Sequence, residues 1–164
     1  MIGSTGSGKT TFARALANKL GVPHVEIDAL FWQPGWVMTS AGELRAKLEA
    51  ALGDGGWVVD GNYTSRLGTF VLDQADQVVW LDLPLRTTWR RLFRRTVRRL
   101  RMREEIWGTN RESFRNAFLS RNSILVYALQ THRSGRRRRS EWISRYPHVR
   151  LRSAHDVRHY LEAG

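Results

Sequence analysis

The chain has 164 residues, no cysteine, 27 Lys and Arg against 15 Asp and Glu, and a formal charge of +12. That length suits one domain with one substantial core and excludes two ordinary ones, while 41% apolar residues and seven tryptophans exclude a disordered chain. The lack of cysteine excludes disulfides and thiolate zinc sites and fits a reducing, cytoplasmic setting. Val78-Val79-Trp80-Leu81, the longest apolar run, is far too short for a bilayer span, so no membrane partner is expected.

The first motif is Gly3-Ser4-Thr5-Gly6-Ser7-Gly8-Lys9-Thr10, which fits G-x-x-x-x-G-K-[ST] at every position. Its glycines let successive backbone N–H groups converge on phosphate oxygens at a helix N-terminus. Lys9 is placed to reach the β- and γ-phosphates, and the Thr10 hydroxyl, ahead of Thr11, to bind Mg²⁺. The expected ligand is ATP or another nucleoside triphosphate with Mg²⁺. Such a loop should follow a strand buried on both faces, yet only Met1 and Ile2 precede Gly3. Three explanations stand open: a start that lies upstream, a Met1 internal to a longer protein, or a variant without its central strand. The first is favoured, and weak stability is expected for the chain as written.

Thr10–Leu20 then reads as a helix with Gly21 as its stop, followed by a strand over His24–Asp28 and an aromatic loop over Leu30–Val37. A helix is expected over Ala41–Leu52, a buried strand over Trp57–Asp60, a helix over Leu67–Leu72 and a strand over Gln77–Leu83. The helix from Leu85 to about Arg103 has two faces. Trp89, Leu92, Phe93, Thr96, Val97 and Leu100 make an apolar stripe, with arginines opposite. A helix from Arg111 to Thr131, a short one near Trp142, a strand over Val149–Leu151 and a helix over Ala154–Leu161 capped by Ser153 complete the order. This alternation is that of an α/β fold.

Charge is uneven along this order. Residues 84–145 hold 18 arginines against four glutamates, a net +14, so the remainder is −2. A nearly neutral body therefore carries a cationic segment, expected at 85–145 as an arginine-rich helical lid within the single domain 1–164. Two weaker signals carry little: His155 and His159 lack a third metal ligand, and Glu104 and Glu105 diverge by ~100° on a helix and should pair with arginines.

The loop, Glu26–Trp36, Trp57–Tyr63, Trp80–Pro84 and Asn110-Arg111-Glu112-Ser113 together resemble P-loop kinases of the adenylate kinase type. The closest likeness is to the small bacterial family called DNA topology modulation proteins. The resemblance implies a three-layer α/β/α fold with a parallel sheet of order 2-3-1-4-5, its first strand largely missing here. It also implies that Asp60 lies near the Mg²⁺ shell, and that Arg91 and Arg95 fall at the lid base, one near adenine and one on phosphates. Arg111 and Arg115 are candidates for a charge-stabilising finger. Where those kinases carry Phe, Pro and the monophosphate-binding Arg, this chain has Asn62, Tyr63 and Thr64, with Arg66 the nearest arginine, which weighs against AMP as acceptor. Asp28 is placed to orient or deprotonate an acceptor hydroxyl, and Trp32 and Trp36 to stack on its ring.

Two functions follow. One is an ATP- and Mg²⁺-dependent phosphotransferase acting on a nucleotide or other small acceptor. The other is a nucleotide-regulated P-loop protein that binds nucleic acid and influences DNA topology, supported by the +14 segment and the Arg136–Arg139 run. Oligomeric state is not read from the sequence.

Overall fold

The computed structural model describes residues 1–108, 110–112, 114 and 123–163. β1 (Ile2–Gly3) leads through the glycine-rich loop into α1 (Lys9–Leu20), which stops at Gly21. β2 (His24–Glu26) runs straight into a short helix, α2 (Ile27–Phe31), so Asp28 lies in a helical turn and not at a strand end. The aromatic loop is an antiparallel ribbon of β3 (Trp32–Gln33) and β4 (Val37–Met38) around a 3₁₀ turn at Pro34–Trp36. α3 (Ala41–Leu52) is capped by the Ser40 hydroxyl, which accepts the Glu43 N–H at 3.2 Å.

After β5 (Val58–Asp60) comes α4 (Thr64–Leu67), so the helix expected over Leu67–Leu72 is a single turn placed earlier. Gly68, at φ 57°, ends it, because a left-handed residue cannot propagate an α-helix. β6 (Val78–Leu81) and α5 (Leu85–Met102) follow as expected. The helix expected from about Arg111 to Thr131 is helical from Ile124 on, but it does not begin at Arg111, and residues 113 and 115–122 lie outside the described residues. Arg111 belongs to a small hairpin of β7 (Glu105–Ile106) and β8 (Asn110–Arg111), turned through Gly108. α6 (Ile124–Ile143) carries the Arg136–Arg139 run inside it and absorbs the separate helix expected near Trp142. β9 (His148–Leu151) and α7 (Ala154–Ala163) end the chain, with the Ser153 hydroxyl accepting the Asp156 N–H at 3.1 Å. No described helix is long and apolar enough to cross a membrane.

β1, β6 and β9 form one parallel ladder in that order, with Ile2 opposite Trp80 and Gly3 opposite Leu81; β2 and β5 form a second. Met1 joins the two. Its amino group donates to the Val59 carbonyl at 2.6 Å, and its own carbonyl accepts the Gly61 N–H at 3.3 Å. The combined order is β2-β5-β1-β6-β9, which is the expected 2-3-1-4-5. Alternation along the strands divides the core between two faces. Val58, Val79, Leu81 and Leu151 face α1 and α7. Val25 and Val59 face α3, and Ile2, Val78 and Trp80 pack with Ile143 of α6 on that same side. This is the three-layer α/β/α arrangement.

β1 contributes only two residues between longer neighbours. Beyond Met1, a cavity of about 500 Å³ opens between β5 and β6, lined by Leu16, Val58, Val59, Leu72, Val78 and Val79 among others.

α5 is rotated from the expected stripe. Thr88, Leu92 and Thr96 are its buried residues, while Phe93 is 38% exposed and stacks on Trp89 at 5.5 Å. The reason is contact with the glycine-rich loop. A Cβ on Gly6 (φ 79°) would lie 2.4 Å from the Thr88 carbonyl oxygen, so small threonines and a glycine let helix and loop touch. That rotation turns Arg91, Arg95 and Arg99 toward the carboxyl ends of the strands.

Candidate functional site

The loop Gly3–Thr10 emerges from the carboxyl end of the central strand, where α/β sheets place their ligands. Thr5 and Gly6 form its turn, closed by the Ser7 N–H donating to the Ser4 carbonyl at 3.1 Å; Thr11 points out of α1 and is exposed. Gly8, also at positive φ, caps α1 without a side chain, leaving the helix N-terminus open to an anion. Lys9 folds back over the loop and donates to the carbonyls of Gly3 and Ser4, each at 3.2 Å. Burial lowers its pKa, while the charges of Asp60 and Asp28 oppose that shift and those of Arg139 and Arg95 add to it. Two carboxylates and two guanidiniums thus surround one ammonium.

Asp60 ends β5 with 3% of its surface exposed. Its Oδ2 accepts the Thr10 hydroxyl, and its Oδ1 has no partner among the described residues. An orphaned buried carboxylate oxygen beside a hydroxyl is a hard-oxygen donor pair that fits Mg²⁺, an ion usually held by one or two carboxylates plus substrate phosphates.

Three arginines approach from the cationic segment. Arg91 donates to the Ser7 carbonyl at 3.0 Å. Arg95, one turn on, is half-buried; burial lowers its pKa, and so does the charge of Arg99. Glu112, Asp28 and Glu26 oppose the shift, and its Nε is unpartnered among the described residues. Arg139 comes from α6 and donates to the Ser4 hydroxyl at 3.0 Å. Its position is fixed one turn earlier by Arg136, which bonds Asp82 at 2.9 Å; Asp82 also holds Arg150 at 2.6 Å. Arg111 does not join them. It sits in β8, its guanidinium 2.7 Å from Glu105, because the hairpin stands where the helix is expected to begin. Arg115 lies outside the described residues.

The other side of the loop is lined by acid and aromatic groups. Asp28 accepts the Tyr63 hydroxyl, and Glu26 accepts the indole N–H of Trp107 at 3.2 Å. Desolvation raises the Glu26 pKa above the ordinary carboxylate range, with that indole bond acting against the rise. Trp32 and Trp36 meet edge to face at 5.5 Å, and Trp36 meets Trp107 at 6.1 Å. Asn62, expected beside the acceptor, brackets Gly3 instead: its Oδ1 accepts the Gly3 N–H at 3.2 Å while its Nδ2 donates to the Gly3 carbonyl. The ends of β5 and β1 are neighbours, which brings it there. Arg66 is exposed, lying over the Phe31 ring and donating to the Met38 sulfur at 3.4 Å.

Of the weaker signals, Glu104 and Glu105 do pair with arginines, Arg98 at 3.0 Å and Arg111 at 2.7 Å. His155 and His159 are exposed and stacked on each other. Sequence reasoning did not single out Arg139, Asp82, Glu26, Trp107 or the Asn110 side chain as site groups. Glu26, Asp82 and Asn110 lie within the stretches that carry the resemblance, though without a role drawn for them. The run containing Arg139 carried a charge signal, and in a helix it puts Arg136 and Arg139 on neighbouring turns of one face.

A family model described as ATPase family associated with various cellular activities (AAA) matches residues 1–79, the part that contains the loop, α1 and Asp60. No curated protein matches the chain. The matched stretch, the parallel sheet and the loop at its carboxyl edge give this chain the fold of a P-loop NTPase.

Proposed function

We propose that the chain is an ATP- and Mg²⁺-dependent phosphotransferase acting on a small acceptor. The observation that carries this reading is a second carboxylate, Asp28, held by the Tyr63 hydroxyl two residues past the β2 end that lies opposite Asp60. A protein that only binds nucleotide needs the loop and Asp60, whereas transfer to an acceptor or to water also needs a group that orients the attacking oxygen. A carboxylate on the far side of the phosphates suits an acceptor hydroxyl.

The loop N–H groups and Lys9 hold the β- and γ-phosphates, while Thr10 and Asp60 hold the metal. Mg²⁺ bound there would neutralise phosphate charge as it moves toward the leaving oxygen. Arg91, Arg95 and Arg139 converge from the lid helices and stabilise the charge on the transferring group. Asp28, oriented by Tyr63, accepts the acceptor's hydroxyl proton. The likeness to adenylate-kinase-type P-loop kinases supports the same reading.

Lys9→Ala is the test. Acceptor-dependent release of ADP is expected to fall at least about a hundredfold, and an unchanged rate overturns the proposal. The nucleic-acid reading keeps one observation in its favour: Arg90, Arg94, Arg101, Arg133 and Arg138 are exposed on α5 and α6. Binding to DNA or RNA that survives physiological salt with a structural preference would favour it; binding lost at that salt reports charge alone.

A further inference from the structure

The acceptor side has a chemistry that narrows the acceptor class. Glu26 and Asp60 are register partners across the β2–β5 ladder, so their side chains share one face of the sheet. Asp60 is almost fully buried, and its unpartnered oxygen is the one assigned to Mg²⁺ above, so Glu26 stands beside the metal position. Asp28 adds a further carboxylate. Its Oδ1 is fixed by Tyr63, leaving Oδ2 to meet the acceptor.

Over these acids stands an aromatic wall. Trp107 is bonded to Glu26 and in edge contact with Trp36, which continues to Trp32. Asn110 bolts the wall shut. Its Oδ1 accepts the Trp36 N–H at 2.8 Å, and its Nδ2 donates to the Gln33 carbonyl at 2.9 Å, joining the β7–β8 hairpin to the β3–β4 ribbon.

Among the described residues, part of the positive charge on this side is taken up: Arg99 is held by Glu112 at 2.9 Å and Arg111 by Glu105, while Arg66 lies over Phe31. Arg14 and Arg95 act on Glu26 by charge, and Arg95 also on Asp28. A phosphate-bearing acceptor is normally gripped by several guanidiniums, and here it would meet two carboxylates. Hydroxyl groups are what a pair of carboxylates binds, and the apolar face of a ring is what indoles cover.

Resting on the phosphotransferase reading, we propose that the acceptor is a compact hydroxylated ring without a phosphate or carboxylate group, of the sugar or nucleoside kind, with Glu26 as a binding residue. In the reaction the acceptor O–H proton passes to the Asp28 carboxylate. The freed oxygen bonds to the γ-phosphorus of ATP as the bond from that phosphorus to the β–γ bridging oxygen breaks. ADP departs, and Asp28 returns its proton to solvent.

The test uses the full chain with Mg²⁺·ATP and matched probes: adenosine against AMP, cytidine against CMP, D-ribose against D-ribose 5-phosphate. ADP release is expected to rise at least tenfold with the unphosphorylated member of a pair and not with its phosphorylated partner. The nucleoside and ribose arms separate the two sources of the ring. Turnover of the phosphorylated members overturns the acceptor class and leaves phosphotransfer standing. ADP release that no probe alters overturns both. Glu26→Gln is expected to raise the KM of the accepted ring about tenfold, with nucleotide binding measured alongside to show that the chain is folded. An unchanged acceptor KM overturns the role of Glu26.

Discussion

Arg139 donates to the hydroxyl of Ser4 at 3.0 Å, although 135 positions separate them in the chain. The contact ties the far end of the arginine-rich segment to the turn of the phosphate loop, beside the ammonium of Lys9, on which Arg139 also acts by charge. A guanidinium there can offer a phosphoryl group two N–H donors, which an ammonium cannot reproduce.

Arg139→Lys is therefore expected to lower the rate of phosphotransfer about a hundredfold while weakening ATP binding less than tenfold. Single-turnover rates and a nucleotide titration separate the two effects. Equal losses in both would make Arg139 a binding group only.

The orphaned oxygen of Asp60 bears on the metal. Asp60→Asn keeps a partner for Thr10 but removes the charge, and the Mg²⁺ concentration for half-maximal nucleotide binding is expected to rise about tenfold or more. Fluorescent nucleotide titrated at fixed Mg²⁺ levels reads this directly. An Mg²⁺ dependence identical to that of the parent chain would remove Asp60 from the metal site.

The Met1 amino group gives a pH dependence. Burial lowers its pKa from 8.0 to about 6, with the Lys9 charge adding to the shift and the Asp60 charge opposing it. Between those values the unfolded chain holds a proton that the folded chain has released, so stability rises with pH from about 6 to 8 and levels off above. Urea melts across that range are expected to show the slope, and a chain with a blocked amino group is expected to lose part of it. His24 and His132, whose pKa values burial also lowers, add to the rise in the same direction.

The cavity between β5 and β6 limits stability. Four β-branched residues added ahead of Met1 are expected to extend β1 between Val58–Val59 and Val78–Val79 and raise the melting temperature by about 5–10 °C, because the ~1.5–3 kcal/mol from each buried side chain is largely offset by the ~1–2 kcal/mol of backbone entropy lost per ordered residue. Four serines added in the same place are the control. An equal effect from both would mean that the cavity does not accept a strand.

Local pattern carried much of this molecule. Glycine spacing identified the loop, and β-branched runs located the strands at Val58–Asp60 and Val78–Leu81, because a strand buried on both faces is apolar along most of its length. Ser153 marked a helix start, since its hydroxyl satisfies an amide that the helix cannot satisfy itself.

The sequence by itself thus determined an α/β chain with a P-loop and a strongly cationic segment. Only the tertiary structure decided which arginines meet the loop, that Asn62 turns to Gly3, and that Trp107 bonds Glu26. The α5 pattern shows why. Hydrophobic periodicity pointed Phe93 inward, yet the close packing of Thr88 on Gly6 rotates the helix and turns Arg91 and Arg95 to the site instead. Periodicity reports how a helix divides between oil and water. It does not report where charge meets charge across 135 positions, because those contacts depend on how whole elements are set against one another.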